Sequence, residues 1–278
     1  EFKPDGVKIE QNYFTLAGPA INEALANNSV DIASYGDLPA IIGKAAGLPT
    51  LVIAGQRGLN TYVAVPAKST AKSIADLKGK RVGVAKGTYM HLSFDRVIDS
   101  LGLTEKDFDL INIQTANGEN AVAAGDLDAY VEGNGALRLQ DLGLAKIIYD
   151  NRKDPDDWKG QTVLVVRESF YKKYPETTKR FLKVWLKALQ WENDPANRKE
   201  SFELDANTGT PLAYLAEDKK DTPLSKVYNP LFDDDFINHY KYAVKFSKEH
   251  KLIKNEFDVD AWLNKNLLAE GLKEVNWQ

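Results

Sequence analysis

The chain has 278 residues, 43% hydrophobic and 27% charged, with 36 lysines and arginines against 40 acidic residues, a net charge of −4 and no cysteine. A single core stops growing near ~250–300 residues, so this length favours two lobes with a cleft between them. The acidic balance excludes the basic face of a nucleic-acid binder. No apolar run approaches the ~18 residues of a membrane span. The missing thiols exclude cysteine nucleophiles, disulfides, iron–sulfur clusters and thiolate zinc sites, and they suit an oxidising compartment.

In chain order, Val7–Tyr13 alternates apolar and polar residues as a half-buried strand does, and Gly18-Pro19 opens a helix with Ala24 and Leu25 inward. Val30–Ser34 reads as a strand, Asp37 as the cap of a helix through Ile41 and Ile42 that stops at Gly47, and Leu51–Ala54 as a strand buried on both faces. The pattern then restarts. Strands are expected at Tyr62–Pro66, Arg81–Ala85, Ile111–Ile113, Leu127–Val131 and Thr162–Arg167. Between the first four lie a short helix over Ser73–Leu77, a long amphipathic one opened by Gly87-Thr88 with Leu92, Phe94, Val97, Ile98 and Leu101 inward, and a third from Glu119 to Ala124. From Phe170 the chain reads as helical, with Phe181, Trp185 and Trp191 as a core stripe. This alternation specifies an α/β protein with mostly parallel sheet.

Residues 24–37 align without a gap on residues 121–134, with Ala24 matching Ala121, Ala26 matching Ala123, Asp31 matching Asp128 and Gly36 matching Gly133. Each lobe thus carries a small-residue helix, a turn, a strand, and a glycine at the strand's carboxyl end, where α/β sheets bind ligands.

Lys86-Gly87-Thr88-Tyr89 follows a strand and opens a helix, a place where backbone amides can hold an anion, or a plain turn capped by Thr88. It is neither a dinucleotide fingerprint nor a P-loop. Tyr35-Gly36-Asp37 and Glu132-Gly133-Asn134 offer amides and short polar side chains at the cleft, with Asp37 and Asn134 equally readable as helix caps. His91 is read as a surface or supporting residue and His239 and His250 as solvated; no two histidines share helical ligand spacing, so no metal site is expected. Arg57 and Arg138 are read as surface residues within reach of an anion. No Gly-x-Ser-x-Gly or His-Glu-x-x-His occurs, and no catalytic constellation or cofactor is expected.

The order of Val30-Asp31-Ile32, Gly36-Asp37-Leu38-Pro39, Ile74–Lys80 before Val82-Gly83-Val84, Lys86-Gly87-Thr88 with His91, Leu101-Gly102-Leu103 and Ala121–Ala129 resembles the periplasmic substrate-binding proteins of ABC importers for sulfonates, taurine and nitrate. Tyr171–Glu176 and the Trp262 segment are similar as well. The resemblance implies a type II periplasmic-binding fold, with two α/β lobes joined by two crossovers. The crossovers are placed near Val65-Pro66 and Val163-Leu164, giving one lobe of residues 1–66 with 165–278 and a second of 67–164. It further implies a monomeric, non-enzymatic extracytoplasmic receptor, its signal peptide removed, which takes a small organic anion between the lobes and delivers it to a membrane permease. By position it nominates Gly36, Asp37, Asn60, Thr61, Gly87, Thr88, Tyr89 and Asn134 for the ligand.

Two departures stand out. Where the family often has an aromatic-Asp-Pro segment this chain has Glu132-Gly133-Asn134-Gly135, and the strand and helix that normally precede a segment like Val7–Tyr13 are missing. The alternatives are a receptor for an uncharged or aromatic solute such as a thiamine pyrimidine precursor, and an enzyme of the same fold family.

Overall fold

A computed structural model describes residues 2, 6–14, 17–207 and 210–277. Its strands are β1 (Ile32–Gly36), β2 (Thr50–Leu59), β3 (Tyr62–Pro66), β4 (Arg81–Val84), β5 (Asp109–Asn112), β6 (Ala129–Glu132), β7 (Ala145–Asp150) and β8 (Gly160–Arg167). Among these lie helices α1 (Ala17–Ala26), α2 (Asp37–Ala45), α3 (Tyr89–Ser100), α4 (Thr115–Ala124) and α5 (Gly135–Asp141). After β8 the chain is helical as expected: α6 (Glu168–Lys173), α7 (Pro175–Asn193), α8 (Arg198–Ala206), α9 (Leu212–Asp218), α10 (Leu224–Val227), α11 (Asp234–Glu249), α12 (Val259–Trp262) and α13 (Lys265–Glu274).

The strands form two sheets, one in the order β1-β8-β2 and one in the order β5-β4-β6-β3-β7. Sequence reading expected mostly parallel sheet, but only β4 runs parallel to its neighbours β5 and β6; β3 is antiparallel to β6 and β7, and β8 to β1 and β2. The reason is connectivity. β3 and β8 enter their sheets directly from the other sheet, without the crossover helix that would make them parallel. The chain passes between sheets at Asn60-Thr61 and again between Asp150 and Gly160, so Tyr62–Pro66 lies wholly in the second sheet and Thr162–Arg167 in the first.

Both sheets are covered on both faces, which explains their continuous apolar strands. Along β8, Val163 and Val165 face a core with Leu38, Ile41, Phe236, Tyr240 and Trp262, while Leu164 and Val166 face Leu182, Leu186, Leu267 and Leu268. In the second sheet Val63, Val82 and Val131 face Phe94, Val97 and Ile98 of α3, and Tyr62, Ala64 and Tyr130 face Val122 and Leu137. Ser73 and Asp76 form a capping box on a 3-10 turn, Ile74–Leu77, in place of the expected short helix. Leu101, placed on the inner face by periodicity, is exposed just past the end of α3.

Val7–Tyr13 is not a strand. The segment lies extended beside β1 and α7, lining a groove with Ile32, Phe170, Tyr174 and Phe181, without the ladder partner that a strand requires. Of its apolar positions only Val7 is partly covered, while Ile9 and Tyr13 are exposed.

Candidate functional site

The repeat-related strand ends converge. β1 ends at Gly36 and leads into α2, β4 leads through Lys86–Thr88 into α3, and β6 ends at Glu132 just before α5. Tyr89 joins them. Its Cβ lies 3.6 Å from where a side chain would start at Gly36, its ring 2.5 Å from the same point at Gly160 and its hydroxyl 2.7 Å from that point at Gly133. Gly160 and Gly133 accept the tyrosine only because they lack a Cβ, whereas a Cβ at Gly36 would make an ordinary van der Waals contact. Gly87 carries φ +80° and brings the start of α3 against Pro19 and Ile42, at 3.8 and 3.9 Å from the same kind of point.

Next to Tyr89 is a cavity of about 380 Å³. Tyr89 and Asn134 reach it from the second sheet, and Arg57, Asn60 and Thr162 from the first. Helix α7 contributes Trp185, Ala188, Leu189 and Glu192, spaced i, i+3, i+4 and i+7 and therefore on one stripe, and Asp205, Asp218 and Tyr228 complete the wall. Arg57 gives one guanidinium nitrogen to Asp233 at 2.6 Å and to the Leu231 carbonyl at 3.1 Å, but its Nε is buried without a partner. On the opposite account, burial and then the neighbouring Asp205 push the Glu192 carboxyl up to about 7, and burial also raises Asp205. The cavity wall therefore carries two cations, Arg57 and Lys219, the latter paired with Asp218 at 2.9 Å, and beside them the acids Glu192 and Asp205.

Of the eight residues nominated from sequence, Asn60, Tyr89 and Asn134 line this cavity. Asn60 is committed inward, donating from Nδ2 to the Asp218 carboxylate and carbonyl, both at 3.0 Å; Asp218 also accepts from the Tyr62 hydroxyl at 2.6 Å. Thr61 is buried and its N–H donates to Asn151 Oδ1 at 2.8 Å. The Thr88 hydroxyl donates to the Ala85 carbonyl at 2.7 Å, so Thr88 precedes α3 in the cap position without a side-chain cap bond. Asn134 likewise makes no side-chain cap bond to α5. Gly36 and Gly87 shape the wall around Tyr89 and the start of α3.

Asp37 is fully buried. Its carboxylate accepts from the Leu38 N–H at 2.6 Å and the Gln161 N–H at 3.0 Å, and His239 Nε2 lies 3.0 Å from Oδ2. His239, expected to be solvated, is thus a buried partner of the nominated site, because its helix α11 turns that face onto α2 and β8. His250 stacks on Phe246 at 3.8 Å, half-buried. His91 is buried too, its Nδ1 accepting from the Gly87 N–H at 3.3 Å. Arg138 pairs with Glu119 outside the cavity. Glu132 is buried, with Oε1 accepting from the Gly133 N–H at 2.8 Å, and burial pushes its carboxyl up to about 8.

Sequence reading missed Trp185, Glu192, Asp205 and Asp218 as cavity residues. The legible signal was Glu192, an acid continuing the Trp185-Leu189 stripe toward the core instead of the solvent face. Asp205 and Asp218 come from α8 and α9, far along the chain from Arg57 and Asn60.

Residues 2–197 match the family described as NMT1/THI5 like. A Bacillus subtilis (strain 168) protein, provisionally named as an aliphatic sulfonates-binding protein, is 26% identical over 275 residues, covering 98% of this chain and 81% of that one. The taurine-binding periplasmic protein of Escherichia coli K12 is 28% identical over 206 residues, covering 70% of this chain and 63% of that one. A solved structure described as a periplasmic sulfonate-binding protein of a sulfonate ABC transporter, from Methylobacillus flagellatus, superposes with a TM-score of 0.87 at 31% identity, covering all of this chain and 86% of that one. With its two sheets, the cavity between them and this match over most of its length, the chain belongs to the NMT1/THI5-like family and has the periplasmic-binding-protein fold.

Proposed function

We propose that this chain is the extracytoplasmic receptor of an ABC importer and binds a small organic sulfonate in the cavity between its sheets. The observation that carries the reading is the Arg57 Nε, a buried cationic donor without a protein partner in the wall of a cavity that also receives Tyr89 and Asn134 from the other lobe. A buried unpaired donor is costly, and an anion's oxygen would satisfy it. The sulfonate-binding names of the relatives support the same ligand class. No described helix is long and apolar enough to cross a membrane, and the reading assigns the passage of the solute to a permease.

The lobes are the two sheets with their helices, and hinge motion is assigned to the passages at Asn60-Thr61 and 151–159. Ligand touching both walls only in the closed form shifts the population toward closure. Glu192 and Asp205 extend the reading to a sulfonate with an amine at its far end, such as 2-aminoethanesulfonate, because a nearby acid pair repels a second anionic group and attracts an ammonium. The same acids with the Tyr89 ring favour, as the second reading, an aminopyrimidine.

A thermal-shift series decides among these. At ~1,000 times Kd a ligand adds about 4 kcal/mol of stability. Alkanesulfonates and 2-aminoethanesulfonate should raise Tm and aminopyrimidines should not, and Arg57→Gln should abolish the shift. No shift with any sulfonate overturns the reading; a shift with an aminopyrimidine alone selects the second. Turnover of a shifting compound by the isolated protein would replace the receptor with an enzyme.

A further inference from the structure

Away from the cavity, in the second lobe, His91 and Asp95 stand one turn apart on α3, and the following 3-10 turn, Glu105–Asp107, brings Glu105 against them. One ligating atom from each of the three lies within 4.8 Å of the others. His91 Nε2 is 2.6 Å from Glu105 Oε1 and 3.5 Å from Asp95 Oδ2. Sequence reading compared histidines only with one another and so passed over this His–Asp pair at i,i+4 spacing.

Asp95 is the unusual member. It is completely buried on the helix that also carries Phe94, Val97 and Ile98 into the core, and neither carboxylate oxygen has a hydrogen-bond partner. A carboxylate in such a place is compensated by a cation or a proton. The lysine of the cluster, Lys86, reaches Glu105 Oε2 at 3.4 Å instead. From the orphaned Asp95 oxygens beside the His91 nitrogen and a third carboxylate, we propose that His91, Asp95 and Glu105 form a binding site for a divalent transition-metal ion of the zinc type.

The dimensions suit it. Ligands at ~2.0–2.2 Å from zinc in tetrahedral array stand roughly 3.3–3.6 Å apart, and the His91–Asp95 separation already falls there. One imidazole with two carboxylates favours zinc-like ions over calcium or magnesium, which take oxygen alone. The Glu105 hydrogen bond must open by less than 1 Å, about the difference between a hydrogen bond and a shared ligand sphere. Lys86, about one-third exposed, is free to swing to solvent.

Metal at Nε2 places the imidazole proton on Nδ1, which now accepts from the Gly87 N–H. Two donors would then face each other, so the Lys86–Gly87 peptide must turn to present its carbonyl, the usual partner of a metal-bound imidazole. That turn leads directly to Tyr89.

Chelator-treated full chain titrated with ZnCl2 against a chromophoric zinc indicator tests this. The expected result is one equivalent bound, weakened at least roughly tenfold by Asp95→Asn and by Glu105→Gln and unchanged by His250→Ala. Should Asp95→Asn fail to fold, the partly exposed Glu105→Gln carries the test. Zinc K-edge absorption of the loaded protein should show nitrogen and oxygen neighbours with no sulfur. No stoichiometric binding, or binding that survives both carboxylate variants, overturns the site; neither result bears on sulfonate recognition, which the thermal-shift series reads with zinc absent.

Discussion

His239 Nε2 and Asp37 Oδ2 meet at 3.0 Å with both side chains almost wholly out of solvent. The other ring nitrogen, Nδ1, lies 3.1 Å from the Asp157 carbonyl, so each ring nitrogen faces an acceptor. The contact ties α11 to the start of α2 and to the segment joining the sheets. Removing the imidazole leaves a buried carboxylate with only two backbone donors. His239→Ala should therefore cost about 3–5 kcal/mol. Asp37→Asn, which keeps one oxygen for Leu38 and offers an N–H to an unprotonated Nε2, should cost only about 1–3 kcal/mol, chiefly from the Gln161 N–H left unpaired. Urea unfolding of the two variants checks the ranking; equal costs would refute it.

Asp218 links α9 to the first passage between sheets through Asn60 and the Tyr62 hydroxyl. Asp218→Ala should destabilise by about 3 kcal/mol, since it leaves the buried Tyr62 hydroxyl without its acceptor, Asn60 with the Asp218 carbonyl alone and Lys219 without its carboxylate, whereas Tyr62→Phe removes a single bond and should cost about 1–2 kcal/mol. Small-angle scattering should show the Asp218→Ala protein more open. An unchanged profile would dissociate this contact from closure.

A methyl group at Gly160 would stand 2.5 Å from Tyr89 Cδ2 and 3.1 Å from Leu59 Cβ. Gly160→Ala should push the ring toward the cavity and cost about 1–3 kcal/mol, as overpacking does. Its effect on sulfonate affinity should exceed that of Tyr89→Phe, which keeps the ring. Calorimetric titration of both variants measures the difference.

Glu132 makes stability depend on pH in the direction opposite to an ion-paired acid. Its folded value, about 8, lies above the ordinary carboxyl value of 4.5, so the folded protein holds the proton longer than the unfolded chain. This contribution is fully present below the unfolded value and declines as pH rises through the folded one, by up to about 1.4 kcal/mol per pH unit between roughly 5 and 8. Glu132→Gln should remove that slope. Parallel pH series of unfolding free energy should converge in acid and diverge toward pH 8, with the variant the more stable.

Glu192 offers the matching test for the ligand. Held near 7, its carboxyl gains charge as pH rises through neutrality, so affinity for 2-aminoethanesulfonate should increase from pH 6 to pH 8 while that for ethanesulfonate should not. Glu192→Gln should erase the difference between the two. Equal pH profiles in the unsubstituted protein would remove the ammonium from the reading.

Much of this was legible in one dimension. The apolar run Leu51–Ala54 marked a strand covered on both faces, the gapless match of residues 24–37 with 121–134 placed two glycine-ended strands in corresponding positions, and Gly87-Thr88 marked a turn opening a helix. Local sequence sets such features because they depend on side-chain period and backbone φ within a few residues. Strand direction, the loss of Val7–Tyr13 as a strand, the burial of His239 and the acid wall of the cavity depend on partners far along the chain: Asp37 meets His239 across 202 positions, and Asn60 meets Asp218 across 158. Only the tertiary structure decides them, because a polar group looks the same in sequence whether its charge is met by water or by a buried partner.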